Sequence, residues 1–203
     1  MQTTTADSPI VIFDMDGTLT RPLLNFDLIR AEIGLGKGPV LEAVQALPPD
    51  RRPRAEAILQ RHEDQAAAAS ELQPGAATVV ASIRAAGIPA VLMTRNTRRS
   101  VDVVLARHGL TFDLIWTRED GPMKPSPEPI LEICRRLNTD PRRSWAVGDF
   151  HYDILCGAAA GSRTVLLVND RDAPPDWATE ADEVIYDLVE LLDLLKIPRV
   201  ATG

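Results

Sequence analysis

Residues 10–20 read Ile-Val-Ile-Phe-Asp-Met-Asp-Gly-Thr-Leu-Thr, and this string restricts the fold more than any other. Four apolar, partly β-branched residues without period-two alternation suit a strand buried on both faces, as in a parallel sheet. The strand runs directly into two carboxylates, Asp14 and Asp16, followed by Gly17. Unpaired carboxylates inside a sheet would be very costly. The pair is therefore expected to project from the strand's carboxyl end into a site holding cations or water. Oxygen donors of this kind suit a hard divalent cation, magnesium before others. Two alternatives stand beside this reading. Aspartates can simply cap a turn, and Asp-x-Asp-Gly also opens calcium loops. An EF-hand is disfavoured because its loop lies between helices and ends in glutamate at the twelfth position, where this chain has Asn25.

Four more runs resemble the first: Ala90–Met93, Leu114–Trp116, 145–147 and 164–168. Amphipathic stretches at helical spacing separate them, over 76–86, 100–108, 127–137 and 152–160. Glycines 87, 109 and 161 close three of these in the position a helix C-terminus favours. A last helix is expected over 184–195, packed on a sheet edge. Repeated strand–helix alternation predicts an α/β fold, a doubly wound parallel sheet with right-handed crossovers. Ligands in such sheets gather beyond the strands' carboxyl ends. Residues 20–74 break the alternation, with helical patterning at Phe26–Ile33, 40–47 and 54–72 and no strand. The expected organisation is a core of residues 1–20 and 74–203, with residues 21–73 inserted after the first strand as a small α-helical cap.

Composition narrows the partners. Twenty-two Lys and Arg against 29 Asp and Glu give a formal charge of −7, which argues against nucleic-acid binding through a basic surface. An anionic substrate stays possible, because one bound divalent cation reverses the local field. The first residues lack the charged and apolar regions of a signal peptide, and no apolar run approaches a membrane span. A cytoplasmic protein without a membrane partner is expected, with Cys134 and Cys156 as reduced buried thiols. The tail from 198 to 203 carries no motif and is expected to fray.

Three further strings sit at predicted strand ends. Met93-Thr94-Arg95-Asn96 offers a hydroxyl and backbone amides to a phosphoryl oxygen. Lys124 lies among prolines 122, 125, 127 and 129, immediately before a helix. Its ammonium is thereby set to point into a cleft. Gly148 lets the chain turn closely, Asp149 emerges beside the first pair, and Asp153 follows one helical turn later.

Together with Asp14-x-Asp16-Gly17-Thr18, these strings resemble the motifs of the haloacid-dehalogenase-like superfamily over residues 10–168. The cap position resembles phosphoglycolate-phosphatase-like members with a small C1 cap, and the sheet is then the Rossmann-like core of that superfamily. The resemblance implies a magnesium-dependent phosphatase acting on a small-molecule phosphate monoester. In it Asp14 is the nucleophile that becomes phosphorylated, and Asp16 is general acid and base. Magnesium is held by Asp14, the Asp16 backbone carbonyl and Asp149, with Asp153, Gly17 and Gly148 in support. Thr94 and Lys124 hold phosphoryl oxygens, with Arg95 beside them as a further phosphate-binding residue. Arg95 stands where many members have asparagine, which bears on substrate contacts. An acid at position 16 argues against dehalogenation, whose halide leaves unprotonated. A phosphosugar mutase or phosphotransferase shares these motifs and remains the nearer alternative. A non-catalytic module binding metal or phosphate is the more distant one. A small acidic ester such as 2-phosphoglycolate is the expected kind of substrate. Lys37 is read as a solvated turn residue, His62 and His108 as structural or exposed, and His151 as a residue able to line the site.

Overall fold

The computed structural model describes residues 9–169 and 173–200. The expectations for residues 1–8 and 201–203 lie outside the described residues. The strands are β1 (Ile10–Phe13), β2 (Ala90–Met93), β3 (Leu114–Trp116), β4 (Ser144–Gly148), β5 (Arg163–Leu167) and β6 (Glu183–Ile185). They form one parallel sheet in the order β3-β2-β1-β4-β5-β6. The chain winds outward from β1 to one edge, then returns to build the other edge from β4. Val11 of β1 accordingly sits between Ala90 and Trp145 in register.

Eight helices accompany the strands among the described residues: α1 (Phe26–Ile33), α2 (Val40–Gln45), α3 (Arg52–Ala69), α4 (Ala76–Ala85), α5 (Arg98–His108), α6 (Glu128–Arg136), α7 (His151–Ala160) and α8 (Glu190–Leu195). Alternate residues of β1 point to opposite faces. Val11 and Phe13 join Val80 and Ile83 of α4, Val104 of α5 and Leu191 of α8 in one apolar layer. Ile10 and Ile12 join Ile130 and Ile133 of α6 and Cys156 of α7 in the other. Helices on both faces explain why the strands read as continuous apolar runs. Both cysteines are buried and free.

Helices α1 to α3 occupy the insertion after β1 and have a small core of their own, with Ile29, Val40, Val44, Ala55 and Leu59 buried together. The chain enters and leaves this unit side by side. Arg21 N–H donates to Glu71 O at 2.9 Å, and Gln73 N–H donates to Leu19 O at 2.9 Å. The return strand contact, with Leu72 bridged to Thr20, ends α3 at Ala69 rather than at residue 72. Core arginines meet carboxylates of the insertion: Arg95 Nη2 lies 2.5 Å from Glu42 Oε1, Arg118 Nη1 2.6 Å from Glu63 Oε1, and Arg99 Nη2 3.1 Å from Asp64 Oδ2.

The single helix expected over 184–195 is corrected. Val184 and Ile185 belong to β6, paired with Leu166 and Leu167 at the sheet edge. Side chains then interrupt any continuation. Glu190 Oε1 accepts from the backbone N–H groups of Tyr186 and Asp187, and Asp187 Oδ1 accepts from Val189 N–H. Such local acceptors compete with helical carbonyls and set a new start, so α8 begins at Glu190. No helix among the described residues is long and apolar enough to cross a membrane.

Candidate active site

Asp14 leaves the end of β1 with its backbone N–H on Val147 O at 2.9 Å. Thr94 leaves β2 with its N–H on Trp116 O at 2.9 Å, and Asp149 follows the end of β4. These positions flank the point where strand order reverses, the expected crevice for a ligand. Lys124 enters from the loop between β3 and α6 with 4% of its side chain exposed. Its Nζ donates to Asp14 Oδ1 at 2.5 Å and to Asp153 Oδ1 at 2.6 Å. Asp153 Oδ2 accepts from Phe150 N–H at 3.0 Å, anchoring that carboxylate to the start of α7.

Asp14, Asp149 and Asp153 each offer a carboxylate oxygen within 4.8 Å of the others. Three hard oxygen donors lie together there, two of them on the Lys124 ammonium, a set that fits a divalent cation such as magnesium. Thr18 Oγ1 donates to Asp149 Oδ1 at 3.3 Å and orients it. Two glycines make this convergence possible. Gly17 has φ +91°, and a Cβ there would fall 2.4 to 2.5 Å from the Asp149 carboxylate. A Cβ on Gly148 would fall 2.2 Å from the Asp153 side chain. Both glycines therefore serve close approach of a carboxylate.

Asp16 faces a different neighbour. Asn96 Nδ2 donates to its Oδ2 at 2.6 Å, and its side chain is not part of the carboxylate cluster. Burial raises the Asp14 carboxyl to about 6 against the pull of the Lys124 ammonium. Burial also raises Asp16, and the negative charge of Asp14 pushes it further, to about 7. The Lys124 ammonium lies above its ordinary range because Asp14 and Asp153 together outweigh its desolvation. The two aspartates thus differ in their surroundings, one beside an ammonium and one beside a neutral amide.

Thr94 is buried, with its Oγ1 accepting from Asn96 N–H at 3.1 Å. Arg95 is held by Glu42 and lies over the Tyr152 ring, 5.0 Å from its centroid. His151 turns elsewhere, pairing with Glu180 at 2.9 Å and stacking on Trp177. His62 pairs with Glu32 and His108 with Ser70, while Lys37 is exposed. Asn96 carries no signal of its own in the sequence, and the fold is what brings its amide onto Asp16. Gln73 Nε2 and Asn169 Nδ2 both donate to Gly17 O, at 3.2 and 2.5 Å, from 56 and 152 residues away. Contacts at such separations leave no spacing signal.

Comparisons with known proteins agree with this geometry. The haloacid dehalogenase-like hydrolase family matches residues 9–161. A haloacid dehalogenase-like hydrolase domain-containing protein of Arabidopsis thaliana is 31% identical, covering 92% of this chain and 83% of its own. The N-acetylmuramic acid 6-phosphate phosphatase of Pseudomonas aeruginosa is 29% identical, covering 91% and 93%. The fold is shared with the crystal structure of a predicted phosphoglycolate phosphatase from Haemophilus somnus, at a TM-score of 0.73 and 20% identity over 93% and 98% of the two chains. A parallel sheet of this order, carboxylates at its central strand ends and a match spanning most of the length together mean that the chain belongs to the haloacid dehalogenase-like hydrolase family.

Proposed function

We propose that the protein is a magnesium-dependent phosphatase that hydrolyses a small-molecule phosphate monoester through an aspartyl phosphate on Asp14. The observation that carries this reading is the difference in surroundings between two neighbouring aspartates. Asp14 is held on Lys124 within the carboxylate cluster, whereas Asp16 is aimed away on Asn96 with a raised proton affinity. A nucleophile must be ionised and an acid must hold a proton, and environments that separate two carboxyls are how one site provides both.

The ester's phosphoryl group is taken up beside Lys124 and the Thr94 hydroxyl. The Lys124 ammonium offsets repulsion between Asp14 and the phosphate dianion. A carboxylate oxygen of Asp14 attacks phosphorus, the P–O bond to the alcohol breaks, and Asp16 gives its proton to the departing oxygen. Asp16, now ionised, takes a proton from water, whose oxygen attacks phosphorus. The bond to Asp14 breaks, inorganic phosphate leaves, and both aspartates return to their starting states. Asp14, Asp149 and Asp153 would hold magnesium, together with the Asp16 backbone carbonyl. When bound, the ion supplies positive charge against the phosphoryl oxygens.

Residues 21–73 serve as the cap in this reading. They bring α1 to α3 over the strand ends, tied to the core through Arg95, Arg99 and Arg118, and supply contacts beyond the phosphate. Arg95, adjacent to Thr94 in the chain, pairs with Glu42 of the insertion. Phosphate release from a panel of monoesters, with magnesium and with chelator, tests the reading alongside Asp14→Asn. Release that needs magnesium and vanishes in the variant is expected. A folded protein that releases none, or a variant that keeps turnover, overturns it.

A further inference from the structure

Glu63 sits on α3 with 4% of its side chain exposed. Its Oε1 accepts from Arg118 Nη1 at 2.6 Å. Its Oε2 is buried and has no hydrogen-bond partner among the described residues. An unmet carboxylate oxygen away from water is costly, so a position that keeps one is suited to a donor arriving from outside the chain. Glu42 repeats the pattern less deeply, with Oε1 on Arg95 and Oε2 unmet among the described residues.

The surroundings show which part of a substrate would meet Glu63. Arg118 N–H donates to Asn96 O at 3.2 Å, and the Asn96 side chain holds Asp16. Glu63 is thus joined through Arg118 and Asn96 to Asp16, the acid of the phosphatase reading, and its charge is felt there. Lys124 and the three clustered carboxylates lie on the phosphoryl side. Arg118 also lines a cleft of about 430 Å³ between α2, α3 and the loop carrying Thr97, room for a small organic group.

We infer that Glu63 Oε2 accepts a hydrogen bond from a hydroxyl on the alcohol portion of the substrate, which is the monophosphate of a polyol or sugar. Three chemistries compete for that oxygen. A carboxylate would set a second negative charge against it. An ammonium would find the charge already balanced by Arg118. A neutral hydroxyl supplies the missing donor and adds no charge, and Glu42 offers a second acceptor to a second hydroxyl. This differs from the acidic ester expected from the sequence, and the comparison with 2-phosphoglycolate decides between them. The inference rests on the phosphatase reading.

The test compares kcat/KM for glycerol 1-phosphate, erythritol 4-phosphate and sorbitol 6-phosphate, each against the n-alkyl phosphate of equal chain length, with 2-phosphoglycolate alongside. For at least one pair the wild-type protein should prefer the hydroxylated ester by roughly ten- to a hundredfold, as for loss of a hydrogen bond to a charged acceptor. Glu63→Leu should collapse that ratio, whatever happens to absolute rates. Equal rates within every pair, a preference for 2-phosphoglycolate, or a ratio that survives Glu63→Leu overturns the inference. Should Glu63→Leu fail to fold, the wild-type ratios and Glu63→Gln still give the answer. Inertness toward all esters, p-nitrophenyl phosphate included, brings down the phosphatase reading and this inference together. Turnover without preference brings down the inference alone.

Discussion

Asn96 donates its side-chain amide to Asp16 at 2.6 Å across 80 residues of chain. Asp16 stands only two positions after Asp14, yet this one bond turns it toward a neutral partner while Asp14 stays on Lys124. Removing the amide should free the acid without touching the nucleophile. Asn96→Ala is expected to lower kcat roughly tenfold or more, within the ~10²–10⁴-fold that a positioned proton donor contributes. The loss should be smaller for esters with acidic leaving groups such as p-nitrophenyl phosphate, which need little protonation. Equal losses for alkyl and p-nitrophenyl esters would show that Asn96 does something other than hold the acid.

Lys124 donates to two carboxylates of the cluster, Asp14 and Asp153. Lys124→Met leaves Asp14 and Asp153 buried without it. Breaking such a pair costs on the order of 3–5 kcal/mol when the orphaned charge has no other partner. Urea unfolding in chelator should show a loss of that order, and magnesium should recover part of it by supplying positive charge at the same carboxylates. Turnover should stay low even with the metal, since no ammonium meets the phosphoryl group.

The glycines give a steric prediction. A Cβ on Gly148 collides with Asp153 at 2.2 Å, so Gly148→Ala must displace that carboxylate or shift the strand end. Overpacking of this kind costs roughly 1–3 kcal/mol. Because Asp153 carries a bond from Lys124 and one from Phe150 N–H, activity should fall with stability, and the magnesium concentration for half-maximal rate should rise. Unchanged magnesium dependence would separate Asp153 from the cation site.

Legibility followed the range of the forces involved. The buried strands and the carboxylates at their ends are local patterns, and the parallel core sheet could be read from them, with Asp14 and Asp149 placed at its carboxyl ends. Strand β6 escaped because three residues at an edge carry no period of their own, and because Asp187 and Glu190 restart the helix through side-chain caps. The grip of Asn96 on Asp16 and the pairing of Glu63 with Arg118 depend on where helices land on the sheet, which no spacing encodes.

The raised proton affinity of Asp16 also makes a stability prediction with a definite sign. Its carboxyl moves from 3.8 to about 7 on folding, so between those values the folded state binds more protons than the unfolded one. Stability then falls as pH rises through that window, and the contribution is lost above the folded value. Asp14 and Glu63 shift in the same direction, by burial first, and each interacts with the Asp16 charge. Asp16→Asn removes the Asp16 charge together with its repulsion against Asp14 and Glu63, so the difference between variant and wild type reports the ionisation of Asp16 and that repulsion. In chelator, the variant should match the wild type near pH 4 and exceed it increasingly toward pH 7.5. At pH 7.5 magnesium should raise the wild-type midpoint, since a ligand of the folded state alone stabilises it. A difference that stays flat from pH 4 to 7.5 would mean that Asp16 is ionised at little cost, and a group so easily ionised could not serve as the acid near neutrality.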